Sequence, residues 1–162
     1  MPRGVLFAIT EDDRRALESA STDDQRVSYV EEVIEERWEP GFVYELDKAW
    51  DALHRSLTDG GLEWKGSTFP LGAAVLGKTP IHSGDEYLIG LTPAEDVGTV
   101  AAALTAVTDE DVRRGYERID RQKYVDLGPE DLEYTLEYFA GLPEFWQQAA
   151  EAGRSVIFTV SQ

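Results

Sequence analysis

The chain of 162 residues has no cysteine and only two histidines. The first absence excludes a disulfide framework and a thiolate zinc site, and the second excludes a multi-histidine metal centre. Nor are acids spaced around a glycine as a calcium loop requires. No metal and no cofactor is expected. Long apolar runs are also missing. Nothing approaches the ~20 residues of a membrane helix, and the N-terminal stretch Gly4 to Ile9 is too short for a signal peptide and runs straight into acids from Glu11. A soluble, cytoplasmic protein is the expectation. Basic residues are scarce: 15 Lys+Arg stand against 32 Asp+Glu, a net charge of −17. Repulsion from phosphates and anionic headgroups therefore argues against nucleic acid and membrane as partners.

The sequence does contain the makings of a core. Apolar residues reach 42% and aromatics 10%, which suits an ordered globule. No repeat, linker or low-complexity tract divides residues 1–162, so one domain is expected. Strands are expected at Gly4–Ile9, Phe42–Glu45, Phe69–Leu76, Glu86–Leu91 and Ser155–Val160, with loops from Gly60 through Ser67 and over Gly77–Asp85. Helix starts are marked by Thr10 with Asp13, Thr22 with Gln25, Thr92-Pro93-Ala94-Glu95, Thr108 with Asp111, and Gly128-Pro129. The second helix should run to Trp38 and bury Val27, Val30, Ile34 and Trp38. Gly141 and Pro143 break the last helical stretch, whose Phe145, Trp146 and Ala149 continue the apolar face. About five strands and about six helices suggest an α/β (α+β) fold, a mixed sheet packed with helices, its last strand placed to return parallel to a neighbour.

The densest pattern is Leu46 to Leu57. Leu46, Ala49, Trp50, Leu53 and Leu57 recur at helical spacing, Asp47 is placed as a cap, and Trp50 and His54 share a face. Two readings stand. Either Trp50 and His54 belong to a core helix, or Asp47, Lys48, Trp50 and His54 surround a cleft with Trp50 as floor and His54 as a proton-transfer or hydrogen-bonding group.

Gly72 to Thr79 matches the phosphate-loop pattern G-x-x-x-x-G-K-T. Its four middle residues are apolar, and Pro80 turns Thr79 away from helix, so the loop-to-helix geometry that phosphate needs is not expected. His82-Ser83-Gly84-Asp85 holds triad residue types, but sequence neighbours point apart.

Several segments, in order and at matching spacing from Val5 to Val160, resemble the YfbM-like family of uncharacterised bacterial proteins. They are Leu46-Asp47-Lys48-Ala49-Trp50 with Leu53-His54, Ala74-Val75-Leu76-Gly77 with Pro80-Ile81, Leu91-Thr92-Pro93 with Val97 and Ala103-Leu104, and Leu136-Glu137-Tyr138-Phe139 with Leu142, Phe145, Ala149-Ala150, Gly153 and Val156. The resemblance implies a mixed α/β fold and supplies no reaction. Similar proteins carry glycine where Lys78 stands, which also argues against a phosphate loop.

The charge is concentrated. Residues 11–40 hold eleven acids and four arginines, and residues 129–151 hold six acids and no base, so these stretches contain 13 of the 17 excess negative charges. They serve solubility, or they attract a basic partner. The function is unknown from sequence, and whether the protein is an enzyme stays open. The favoured expectation is a non-catalytic interaction protein, immunity- or inhibitor-like, using Glu31, Glu32, Glu35 and Glu36 toward a basic partner. The alternative is an enzyme or small-ligand binder around Trp50 and His54. A monomer or weak homodimer, the latter through the aromatic C-terminal helix, completes the expectations.

Overall fold

Residues 2–63 and 68–161 are described in the computed structural model. The end of the loop expected through Ser67 lies outside them. The strands are β1 (Gly4–Ile9), β2 (Val43–Asp47), β3 (Thr79–Ser83), β4 (Tyr87–Thr92) and β5 (Ser155–Ser161). The helices are α1 (Glu11–Ser19), α2 (Asp23–Tyr29), α3 (Glu35–Arg37), α4 (Trp50–Leu57), α5 (Ala94–Thr105), α6 (Asp109–Glu117), α7 (Pro129–Phe139) and α8 (Leu142–Glu151). The strands form one sheet in the order β2-β1-β5-β4-β3.

The fold class is α+β, as expected, but the sheet is antiparallel at every pairing. β5 does not return parallel to a neighbour. It inserts between β1 and β4, which run in the same direction, and opposes both, with Leu6 opposite Phe158 and Gly90 opposite the same residue on the other side.

Both faces of the sheet are covered. Alternation along β1 sends Leu6 and Ala8 into a core with α4, α5, α7 and α8, where Leu53, Val100, Phe139 and Trp146 meet Phe158 and Val160. Phe7 and Ile9 point the other way, with Ile89 and Ile157, against Leu17, Val30 and Ile34 of the α1–α3 layer.

Local signals set several helix starts. Thr10 Oγ1 accepts from the Asp13 amide at 3.1 Å while the Asp13 carboxylate accepts from the Thr10 amide at 3.0 Å; Thr108 and Asp111 repeat this box at 3.1 and 2.9 Å. Thr92 does not cap. It completes β4, and its hydroxyl accepts the Lys78 amide at 3.1 Å, while the Ala94 amide of α5 donates to Ser155 Oγ at 2.9 Å. Asp47 does not cap either. It ends β2 at φ +47, and α4 begins at Trp50 behind Ala49 with no side-chain cap.

Three further expectations are corrected. Phe69–Leu76 is not a strand: Leu71–Ala73 is a short 3-10 turn, and Ala73 to Leu76 are buried in the larger core. The edge strand instead occupies Thr79–Ser83, within the stretch read as a loop. Gly77, at φ +90, makes this possible, because a Cβ there would lie 2.8 Å from the Gly90 carbonyl carbon. Trp38 is 44% exposed and not core. Between α2 and α3 the helix widens into a π turn over Val30–Ile34, with the Glu35 amide donating to the Val30 carbonyl. The bond then spans five residues in place of four, and the apolar face slips out of phase before Trp38. The aromatics of α8 are core, Phe145 at 4% and Trp146 at 0% exposure.

α6 packs tightly against α4 at Gly115. A Cβ on this residue of α6 would stand 1.8 Å from the Ser56 carbonyl oxygen of α4. Gly115→Ala must push the helices apart and should cost about 3 kcal/mol in denaturant melts. Gly98, exposed on α5 with nothing within 4 Å of its added Cβ, is the control: Gly98→Ala should stabilise by about 0.5–1 kcal/mol. Equal effects from the two substitutions would contradict this packing.

Candidate functional site

The four residues expected around a cleft separate in the structure. Trp50 is buried; its ring packs 5.7 Å from that of Phe158 and its Nε1 donates to the Pro2 carbonyl at 2.9 Å. His54 is wholly buried. Burial first, then the neighbouring Arg55 charge, lowers its pKa to about 4, so it is neutral at pH 7. Asp47 and Lys48 sit instead at the surface joint of β2 and α7. The Tyr134 hydroxyl donates to Asp47 Oδ2 at 2.6 Å and accepts the Lys48 amide at 3.2 Å, and Arg3 reaches Asp47 Oδ1 at 3.0 Å. Burial, with Asp47 next, raises the Tyr134 pKa, so this phenol is a neutral donor.

The phosphate-loop match has no phosphate geometry. Lys78 Nζ lies 2.8 Å from the Asp96 carboxylate and 5.0 Å from the centre of the Phe69 ring. An edge strand, not a helix, follows it. His82 Nδ1 lies 3.5 Å from Asp23 Oδ2. Among the described residues no group of three or more His, Asp and Glu is placed to hold a metal ion.

A polar network joins α4, α6 and α7. Asp51 Oδ1 and Arg55 Nε are 2.5 Å apart, and Arg55 Nη1 donates to the Gly60 carbonyl at 3.2 Å. The Arg55 guanidinium lies 5.9 Å from the centre of the Tyr124 ring. The hydroxyls of Tyr124 and Tyr116 both donate to Asp131, at 3.0 and 2.7 Å, and the Gly128 amide donates to Tyr116 Oη at 3.1 Å. Burial is the main cause, with Asp131 next, that raises the pKa of both tyrosines. They are neutral donors to a carboxylate, which makes this a structural staple. A cavity of about 730 Å³ opens beside it, bordered by Ile119, Val125, Leu127 and Leu132. Tyr116, Tyr124 and Asp131 follow no helical or strand period, and only the fold brings them together.

The acidic face divides. Glu31, Glu32 and Glu36 are exposed, while Glu35 is half-buried and accepts the Tyr87 hydroxyl at 3.2 Å. Burial, then the charges of Glu31 and Glu36, raises the Glu35 pKa. The nearby arginines are turned to structural work. Arg37 reaches buried Asp13 at 2.5 Å and Glu39 at 3.0 Å, Arg154 reaches Glu39 at 3.2 Å, and Arg26 reaches Asp23 at 2.9 Å.

The family described as "Domain of unknown function (DUF1877)" matches residues 2–159. The chain belongs to this family. Among solved structures it is similar to the protein of unknown function YfbM from Escherichia coli, with a TM-score of 0.71 and 17% identity, covering 98% of this chain and 99% of that one. At that identity the likeness speaks for the fold alone. No curated protein matches the chain. The family resemblance read from the Leu46–His54 and Leu136–Val156 segments is thereby shown, and the family carries no assigned activity.

Two outcomes follow for residues the motifs highlighted. His54 has a folded pKa of about 4 against an ordinary 6.5, so between those values the unfolded chain binds a proton that the folded chain refuses. Its contribution is complete above the unfolded value and is lost as pH falls toward 4, by up to about 3 kcal/mol. Urea melts of His54→Gln should show a flatter loss of stability over that window; an unchanged slope would place the titration elsewhere. Magnesium-ATP should not raise the melting temperature of the wild type or of Lys78→Ala. A saturable rise that the substitution abolishes would restore the phosphate loop.

Proposed function

We propose that this protein is a non-catalytic interaction protein that recognises a basic partner through the carboxylates of the α2–α3 rod, in an immunity- or inhibitor-like role. One observation carries the reading. Glu31, Glu32 and Glu36 stand exposed with no cation in ion-pair reach among the described residues, although four arginines lie in the same stretch of sequence. Those arginines are spent on Asp13, Glu39, Asp23 and α1 carboxylates, so the outward charge is left uncompensated. Like charges held together cost stability through repulsion, and a complementary basic surface relieves that cost on binding. The reaction centre expected around Trp50 and His54 gains no comparable support, because both side chains are packed inside the protein.

The test is charge reversal combined with salt. Glu31→Lys, Glu32→Lys and Glu36→Lys together should slow association with a partner recovered from the native cell by roughly tenfold or more, and added salt should do the same to the wild type. Single Glu→Gln changes at these positions should leave stability within about 0.5 kcal/mol of the wild type. Recovery of no salt-sensitive partner from native extract would end this reading.

A further inference from the structure

We infer that the groove formed by residues 117–129 and α7 is a second docking site, for a basic peptide segment of a protein partner bearing an apolar side chain. It lies across the sheet from the α2–α3 rod, because α4, α6 and α7 pack on the opposite core. It therefore stands or falls independently of the function proposed above.

Three observations converge. The first is Val125, which is 87% exposed, the most exposed large apolar side chain among the described residues. It lines the 730 Å³ cavity together with Ile119, Leu127 and Leu132. The second is shape. Pro129 lines this cavity and two neighbouring depressions of about 590 and 750 Å³. The first shares Gly128 with the 590 Å³ depression, which shares Glu130 and Tyr134 with the 750 Å³ one, so the three adjoin, and adjoining depressions suit a segment of chain better than a compact small molecule. The third is charge. Seven acids line the track, among them Glu117, Asp126, Glu130 and Glu137, against two arginines, one of which is held by Glu133 at 3.0 Å.

The competing occupants fit less well. An anion would seek the N-terminus of α7, but Glu130 and Asp131 occupy that first turn and the Gly128 amide is bonded to Tyr116. A second copy of the chain would bring −17 against this face. A basic peptide meets complementary charge, and its apolar side chain covers Val125 and Leu127. The track is also preformed. Tyr116 and Tyr124 hold Asp131, and Arg55 backs the Tyr124 ring, so little ordering opposes binding.

The experiment titrates the full chain with a synthetic peptide of lysines around a leucine pair, read by fluorescence anisotropy. Saturable binding is expected, weakened roughly tenfold by Val125→Asp and again by Glu130→Lys with Glu137→Lys. Glu31→Lys with Glu32→Lys, on the opposite face, should leave the affinity unchanged, and spermine should displace the peptide poorly because it brings charge without an anchor. All the substituted residues are exposed, and unchanged thermal melts will verify folding. Absence of saturable binding, insensitivity to Val125→Asp, equal loss from the opposite-face reversal, or ready displacement by spermine would each overturn the assignment.

Discussion

The two strand pairs of the sheet, β1 with β2 and β4 with β3, meet only through β5. That last strand is buried from Ser155 to Val160, and its backbone bonds to a neighbour along both edges. Its alternation then assigns the layers. Val156, Phe158 and Val160 belong to the core beneath α4, α5, α7 and α8, and Ile157 to the core beneath α1–α3. Ser155 also supplies the cap for α5. Helix layers, sheet halves and a helix start thus all depend on one strand that reaches its place from the far end of the chain.

The charged residues follow from the same arrangement. Burying a carboxylate is tolerable only when donors surround it. Asp13 is met by Arg37, Tyr29 and the Thr10 amide, and burial, the largest influence on it and one that raises its pKa, is outweighed by these bonds, so its pKa lies below the ordinary carboxylate value. Asp51 has Arg55, and Asp131 has two tyrosine hydroxyls. Several of the few cations are drawn to these interior and seam positions, and Glu31, Glu32, Glu36, Glu130 and Glu137 are left without an ion-pair partner among the described residues. Sheet and helices then hold these two acidic regions apart, so they present two surfaces and not one.

Helix positions were the most legible part of the chain. The boxes at Thr10 and Thr108 and the break at Gly141–Pro143 each rest on contacts within a few residues, and each lies where the sequence placed it. Errors arose where a nonlocal partner decided. Thr92 has every mark of a cap, yet its hydroxyl is taken by the Lys78 amide once β4 is extended. Ala73 to Leu76 read as a strand because burial of an apolar run looks alike whether the backbone is extended or coiled into a turn. Trp38 read as core because a π turn cannot be seen in a periodicity of 3.6.

By itself, then, the sequence determined the caps at Thr10 and Thr108, the excess of negative charge, the family and the lack of any cysteine chemistry, because each is written in neighbouring residues or in composition. It did not determine the antiparallel insertion of β5, the withdrawal of His54 from solvent, or the meeting of Tyr116, Tyr124 and Asp131 beside an apolar groove. Those were decided by tertiary structure, since pairing register and the burial of a polar group depend on residues far apart in the chain, whose approach no local pattern records.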